Sequence, residues 1–333
     1  MRKVGLGVAV VAATMLLSGC DAMQELPGAV PTATPEDGFE PGNGAHQMAL
    51  YAEASDDQSG VSANAASSSA HLNYYGGHVI SNARVVVVFW GSNVNSTTQS
   101  KIGDFFSSVL DSPYMDWLSE YDTNVSGGTN QHIGRGTFAG AVTITPSHTG
   151  SSIDDTQIQS ELNSQISAGK LPAPDADTIY MTYFPKGISI TQGGSQSCVQ
   201  FCAYHGTFKR SGKSTFYGVM PDMSAGSGCD SGCGSNAATF DNLTSASSHE
   251  MIEAVTDAEI GLATSVGKPM AWYDSTNGEI GDICNAKDGK VGSYTVQKEW
   301  SNSSGSCIVS KGGSGTSDFS VTLSPSSTSV APG

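Results

Sequence analysis

Arg84-Val85-Val86-Val87-Val88-Phe89-Trp90-Gly91 is an unbroken apolar run closed by glycine, the pattern of a strand buried on both faces of a sheet. Two runs of the same kind follow, Ile179-Tyr180-Met181-Thr182-Tyr183-Phe184 before Pro185, and Thr215-Phe216-Tyr217-Gly218-Val219-Met220. Helical patterns fall between them. Ser96-Thr97-Thr98 can cap a helix carrying Ile102, Phe105, Phe106, Val109 and Leu110, stopped near Pro113, and Tyr114-Met115-Asp116-Trp117-Leu118 starts a short second one. Asp154 or Asp155 opens a helix in which Ile158, Leu162 and Ile166 recur every four residues, ended by Gly169. Glycines and β-forming residues from His132 to Ile144 suggest strand pieces. Helices falling between buried strands predict an α/β domain, a single mixed sheet with helices packed on it.

That domain is expected over residues 71–311, which is long enough for one sizeable core. Ahead of it, Met1-Arg2-Lys3, the apolar run from Val4 to Leu17 and the ending Leu17-Ser18-Gly19-Cys20 read as a lipoprotein signal peptide over residues 1–19. Cleavage before Cys20 and lipidation of that cysteine would hold the mature chain in the cell envelope, outside the cytoplasm. The apolar run is too short for a permanent membrane helix. Residues 20–70, rich in Pro, Gly, Ala and acids without a sustained period, read as a tether in which His46 is solvated. Residues 312–333 read as a Gly/Ser linker and the first strand of an Ig-like module. The net charge of −16 argues against nucleic acid as a partner.

Six cysteines follow Cys20. In an exported chain they read as disulfides, and sequence proximity suggests Cys198 with Cys202, Cys229 with Cys233 and Cys284 with Cys307. A four-cysteine zinc site from the two C-x-x-x-C units is disfavoured by the oxidising compartment.

The chemistry centres on Ser248-His249-Glu250-Met251-Ile252-Glu253-Ala254-Val255-Thr256-Asp257, within a helix expected from Phe240 to about Asp257. Positions four apart share a helix face, so His249 and Glu253 would project together, with Glu250 about 100° round. This is the layout of H-E-x-x-H, the helix that gives zinc peptidases two ligands and a general base, with Glu253 in the second ligand position. The competing reading is a solvated face, with Met251, Ala254 and Val255 packed on a core and the acids outward. A third ligand is expected from Asn277-Gly278-Glu279-Ile280-Gly281-Asp282-Ile283-Cys284, with Asp282 the first choice and Glu279 the second. His205, in Cys202-Ala203-Tyr204-His205-Gly206, could reach the same site if the cysteine loop folds over it. Glu259, at the spacing of a third metzincin ligand, is a weaker candidate because Thr256 replaces the glycine that turns that chain.

These blocks resemble one family. Tyr74-Tyr75-Gly76-Gly77-His78-Val79-Ile80 leading into Val85–Trp90, the paired C-x-x-x-C units, and Ser248-His249-Glu250 through Glu253, Thr256-Asp257, Trp272-Tyr273, Glu279-Ile280-Gly281-Asp282 and Cys284 look like the EXORDIUM, or phosphate-induced, protein family in its bacterial form. The resemblance spans residues 71 to 310. It implies an extracellular domain; plant members are extracellular and associated with growth responses, and some lack the His-Glu pair retained here.

Two functions follow as expectations. In one the chain is a metal-dependent hydrolase, a zinc peptidase acting on peptide or cell-wall substrate, with His249, Glu253 and Asp282 holding Zn²⁺ and Glu250 as catalytic base. In the other it is a non-catalytic surface protein in which the same acids hold a structural metal or pair with one another. Oxygen-rich coordination through Glu279 and Asp282 would suit Ca²⁺, but a histidine ligand favours zinc.

Overall fold

The structure is a computed structural model, and it describes residues 38–42, 45–51 and 69–311. The signal peptide, Cys20 and the segment 312–333 lie outside the described residues. Strands β1 (Phe39–Glu40), β2 (Ala45–Ala49) and β3 (Asn73–Tyr74) precede the buried β4 (Arg84–Phe89). Helix α1 (Ser96–Leu110) and the single turn α2 (Pro113–Asp116) lead to β5 (Thr137–Thr143), β6 (Ser152–Asp154) and α3 (Asp155–Ser167). Next come β7 (Thr178–Tyr183), β8 (Ser189–Gln192), β9 (Ser195–Gln196), β10 (Phe201–Arg210) and β11 (Lys213–Met220), then α4 (Thr239–Thr256). Short strands β12 (Trp272–Tyr273), β13 (Asp288–Val291), β14 (Tyr294–Gln297), β15 (Glu299–Ser301) and β16 (Ser306–Ile308) complete the described chain.

The expected α/β architecture is present, with a mixed main sheet ordered β1-β10-β11-β7-β4-β5 and β2 also paired to β10. Strands β5, β4, β7 and β11 run parallel, whereas β10 is antiparallel to β11. Alternate residues of β4 serve opposite faces. Val85, Val87 and Phe89 join α1 and α4 in one core, while Val86 and Val88 join Ile158, Leu162 and Ile166 of α3 in the other. Each such aliphatic side chain buried contributes about 1.5–3 kcal/mol, which is why the valine run dictates a central strand. Local capping follows the sequence with one shift. Asn95, not Ser96, caps α1 through its side chain, and Asp154 with Gln157 forms a capping box on α3.

Three expectations are corrected. The stretch assigned wholly to a tether contains β1 and β2, which pair antiparallel with β10 in registers such as Phe39↔Arg210 and Tyr204↔Gln47. A long outer strand leaves a row of backbone donors and acceptors to satisfy, and Met48, fully buried, supplies apolar anchorage there. Strand β10 itself was hidden behind the cysteines. Its signal was Arg210-Ser211-Gly212-Lys213, where positive φ at Ser211 and Gly212 closes a tight hairpin to β11.

The third correction is disulfide pairing. Cys198 bonds Cys229, Cys202 bonds Cys233, and only Cys284–Cys307 follows the expectation. Cys202 lies in extended β10 and Cys198 in the turn before it, whereas Cys229 starts a 3₁₀ turn, so the two C-x-x-x-C segments lie side by side and are laced across. Among the described residues no helix is long and apolar enough to cross a membrane.

Candidate metal centre

Helix α4 is buried on every side from Asn242 to Thr256, packed between β10, β11 and β7 on one flank and β14 on another. Its hydroxyl residues serve as fasteners rather than a solvated face: Ser247 Oγ lies 2.8 Å from Tyr183 Oη, and Ser248 Oγ accepts the Gln297 amide at 2.8 Å. His249, Glu250 and Glu253 are therefore all fully buried, opposite to the outward acids of the competing reading.

One turn of helix brings His249 Nε2 to 3.1 Å from Glu253 Oε1, and the loop after β12 brings Asp282 Oδ1 to 3.9 Å from the same nitrogen. These three residues offer donor atoms that all lie within 4.8 Å of one another. Atoms each about 2.0–2.2 Å from a single zinc ion can be no more than about 4.4 Å apart, so both measured separations fit one ion. The loop is shaped for this approach. Asp274 accepts the Thr276 and Asn277 amides, the Glu279 amide donates to Asp282 Oδ2, and the Asp282 amide donates to Glu253 Oε1. Gly278 has φ +90°, and Gly281 comes so close that a Cβ there would lie 2.7 Å from His249 Nδ1 and 2.8 Å from Glu253 Oε1.

His205 joins the cluster from β10. The strand face carrying it looks toward α4, since Thr207 two residues on donates to the Ala258 carbonyl just past that helix. His205 Nδ1 is 3.1 Å from Glu250 Oε2 and 3.6 Å from Glu253 Oε2, and its Nε2 is 3.6 Å from Glu279 Oε1. His205, Glu253 and Glu279 form a second group whose donor atoms also lie within 4.8 Å of one another. Asp282 and Glu279, the first and second choices for a third ligand, thus belong to different groups that meet at Glu253. Glu259 is elsewhere, bonded to His78 Nδ1 and Ser214.

The electrostatics follow from burial. Loss of solvent, and then neighbouring carboxylates, push Glu279 well above the usual carboxylate range; Glu250 and Glu299 are raised the same way, with His249 pulling against the shift. Burial opposes a charge on His249, but Glu253 beside it holds its proton affinity well above the ordinary imidazole value. A buried collection of carboxylates with histidines set among them binds either protons or metal cations.

Two contributors escaped sequence reasoning. Gln297 of β14 reaches His249 Nδ1 at 2.7 Å and donates to the Gly281 carbonyl at 2.8 Å. Glu299 of β15 is fully buried and accepts from Tyr114 Oη at 2.9 Å. Both come from short strands whose sequence carries no metal motif; the fixing of this region by Cys284–Cys307 was its only sign.

A separate crevice of about 510 Å³ opens at the carboxyl ends of β4, β5 and β7, lined by Trp90, Asn93, Thr145, Ser151 and Lys186 among others, and by none of the cluster residues. Comparison with known proteins gives no matching family model, no matching curated protein and no matching solved structure.

Proposed function

We propose that the chain is a lipid-anchored, extracytoplasmic metal-dependent hydrolase, a zinc peptidase related to the bacterial EXORDIUM-like proteins, with a zincin-like helix in α4. The observation that carries this reading is the convergence of His249, Glu253 and Asp282 donor atoms within 4.8 Å. One imidazole and two carboxylates suit zinc, and a histidine among them disfavours calcium. Zinc held there supplies Lewis acidity toward a carbonyl oxygen and toward water.

The chain's own residues do the rest. Glu250, with raised proton affinity from burial, accepts the proton of the attacking water, and His205 Nδ1, 3.1 Å away, holds the carboxylate in place through that transfer. Asp282, whose side chain is 15 % exposed, marks the side from which a peptide carbonyl approaches. The three disulfides agree with an oxidising compartment, and attachment would run through lipid on Cys20.

Complete burial of His249, Glu250, Glu253 and Glu279 favours a second reading, a surface binding domain in which the metal is structural. Glu250→Gln separates the two. Under the hydrolase reading it retains zinc and loses hydrolysis of an unfolded protein substrate by about 10²–10⁴-fold. Wild-type protein that binds zinc and cleaves nothing would establish the structural role instead.

A further inference from the structure

Glu253 belongs to both three-residue groups, and it serves each with a different oxygen. Oε1 faces His249 Nε2 at 3.1 Å, and Oε2 faces His205 Nδ1 at 3.6 Å. A carboxylate whose oxygens point to separate ligand sets is the geometry of a bridging ligand. We propose that the centre holds two divalent cations, bridged by Glu253, the second seated by His205 and Glu279.

A second, independent feature marks the His205 side. Glu250 is fully buried, its Oε2 lies 3.1 Å from His205 Nδ1, and its Oε1 meets no hydrogen-bond donor among the described residues. A buried carboxylate oxygen left without a donor is costly, and a cation bound beside it would offset that cost.

The separations are those of a paired site. His205, Glu253 and Glu279 each offer one donor atom within 4.8 Å of the others; with Nδ1 of His205 facing Glu250, its Nε2, 3.6 Å from Glu279 Oε1, is the nitrogen left to take an ion. Two ions on one bridging carboxylate sit about 3.5–4 Å apart, the spacing at which a pair can polarise one carbonyl and one water together. The ligands are borderline, nitrogen with oxygen, so Zn²⁺ or Mn²⁺ is the matching class and a single hard Ca²⁺ site is not. This inference rests on the proposed site at His249, Glu253 and Asp282, which it extends to the other side of Glu253.

The test uses the full chain loaded with Zn²⁺, desalted and measured for metal per polypeptide, with thermal melting as the control for folding. Two equivalents are expected, falling to one in His205→Gln and to one in His249→Gln. A single equivalent that His249→Gln removes and His205→Gln leaves overturns the second seat while the first stands. No bound metal at all overturns both. Loading wild-type protein with Mn²⁺ gives a reading that depends on no variant: an exchange-coupled electron paramagnetic resonance spectrum is expected at two equivalents. The hyperfine pattern of isolated ions would overturn the bridge.

Discussion

Gln297 is the hydrogen-bond partner of His249 Nδ1, at 2.7 Å, while the same amide nitrogen donates to the Gly281 carbonyl at 2.8 Å. Because that nitrogen can only donate, the neutral ring carries its proton on Nε2, facing Glu253 Oε1. Replacing this proton by a metal moves the ring proton to Nδ1 and asks Gln297 to present its oxygen. The side chain therefore couples ring tautomer, Gly281 and metal occupancy, the role that outer hydrogen bonds play for metal-bound histidines.

Gln297→Ala accordingly weakens metal binding by about 10–100-fold with every ligand retained. It also leaves the buried Gly281 carbonyl without this donor, costing about 1–3 kcal/mol. Calorimetric titration with Zn²⁺ and denaturant unfolding measure the two effects separately. Unchanged affinity in a folded variant would remove Gln297 from the site.

Gly281→Ala tests the approach of the loop. Its φ of −80° accepts alanine, so the effect is steric: the new Cβ would stand 2.7 Å from His249 Nδ1 and 2.8 Å from Glu253 Oε1. Overpacking of this kind costs about 1–3 kcal/mol, and the imidazole must give way. Metal content should fall while the disulfides and far-ultraviolet spectrum stay as in wild type. Full metal occupancy in the alanine variant would show that the loop stands farther from α4 than 3 Å-scale contact allows.

Much of this was readable in advance and some was not, for physical reasons. Val85 to Phe89 announce a strand because burial on both faces forbids polar alternation, and the helix face of His249 and Glu253 follows from the four-residue period alone. Asp282 was reachable because glycines and a disulfide fix its loop. His205 could be named only on condition that the cysteine loop folded over the helix, and Gln297 not at all, because which strand face meets α4 is decided by sheet order, which spacing does not encode. The laced cysteines misled for the same reason: proximity in sequence is a poor guide when two segments 31 residues apart lie side by side.

That lacing makes a direct prediction. Chymotryptic cleavage after Phe201 separates Cys198 from Cys202, and cleavage at Asp230 separates Cys229 from Cys233, so mass spectrometry of the unreduced digest should show Cys198–Cys229 and Cys202–Cys233 peptides. Each bond closes a loop of moderate length, and losing either costs about 2–4 kcal/mol. Peptides joining Cys198 to Cys202 would contradict the placement of β10 beside the 3₁₀ turn at Cys229.

The buried acids set a pH dependence for the metal-free protein. Glu250, Glu279, Glu299 and Asp257 are all raised well above ordinary carboxylates, chiefly by burial, so the folded chain keeps protons that the unfolded chain begins to release near pH 4. Protons bound in excess by the folded state mean stability that falls as pH rises. His249, also raised, acts in the same sense from about pH 6.5 upward. The carboxylates held below the ordinary range, among them Asp154, Glu161 and Asp274, act in the opposite sense up to about pH 5 and are constant above it, so chelator-treated protein should melt at lower temperature with each step from pH 6 to 8. Saturating Zn²⁺ should flatten or reverse that trend, because the cation displaces those protons and binds more tightly as they leave. A chelated protein whose melting temperature climbs over this interval would mean that the cluster is neutralised by something other than protons or metal.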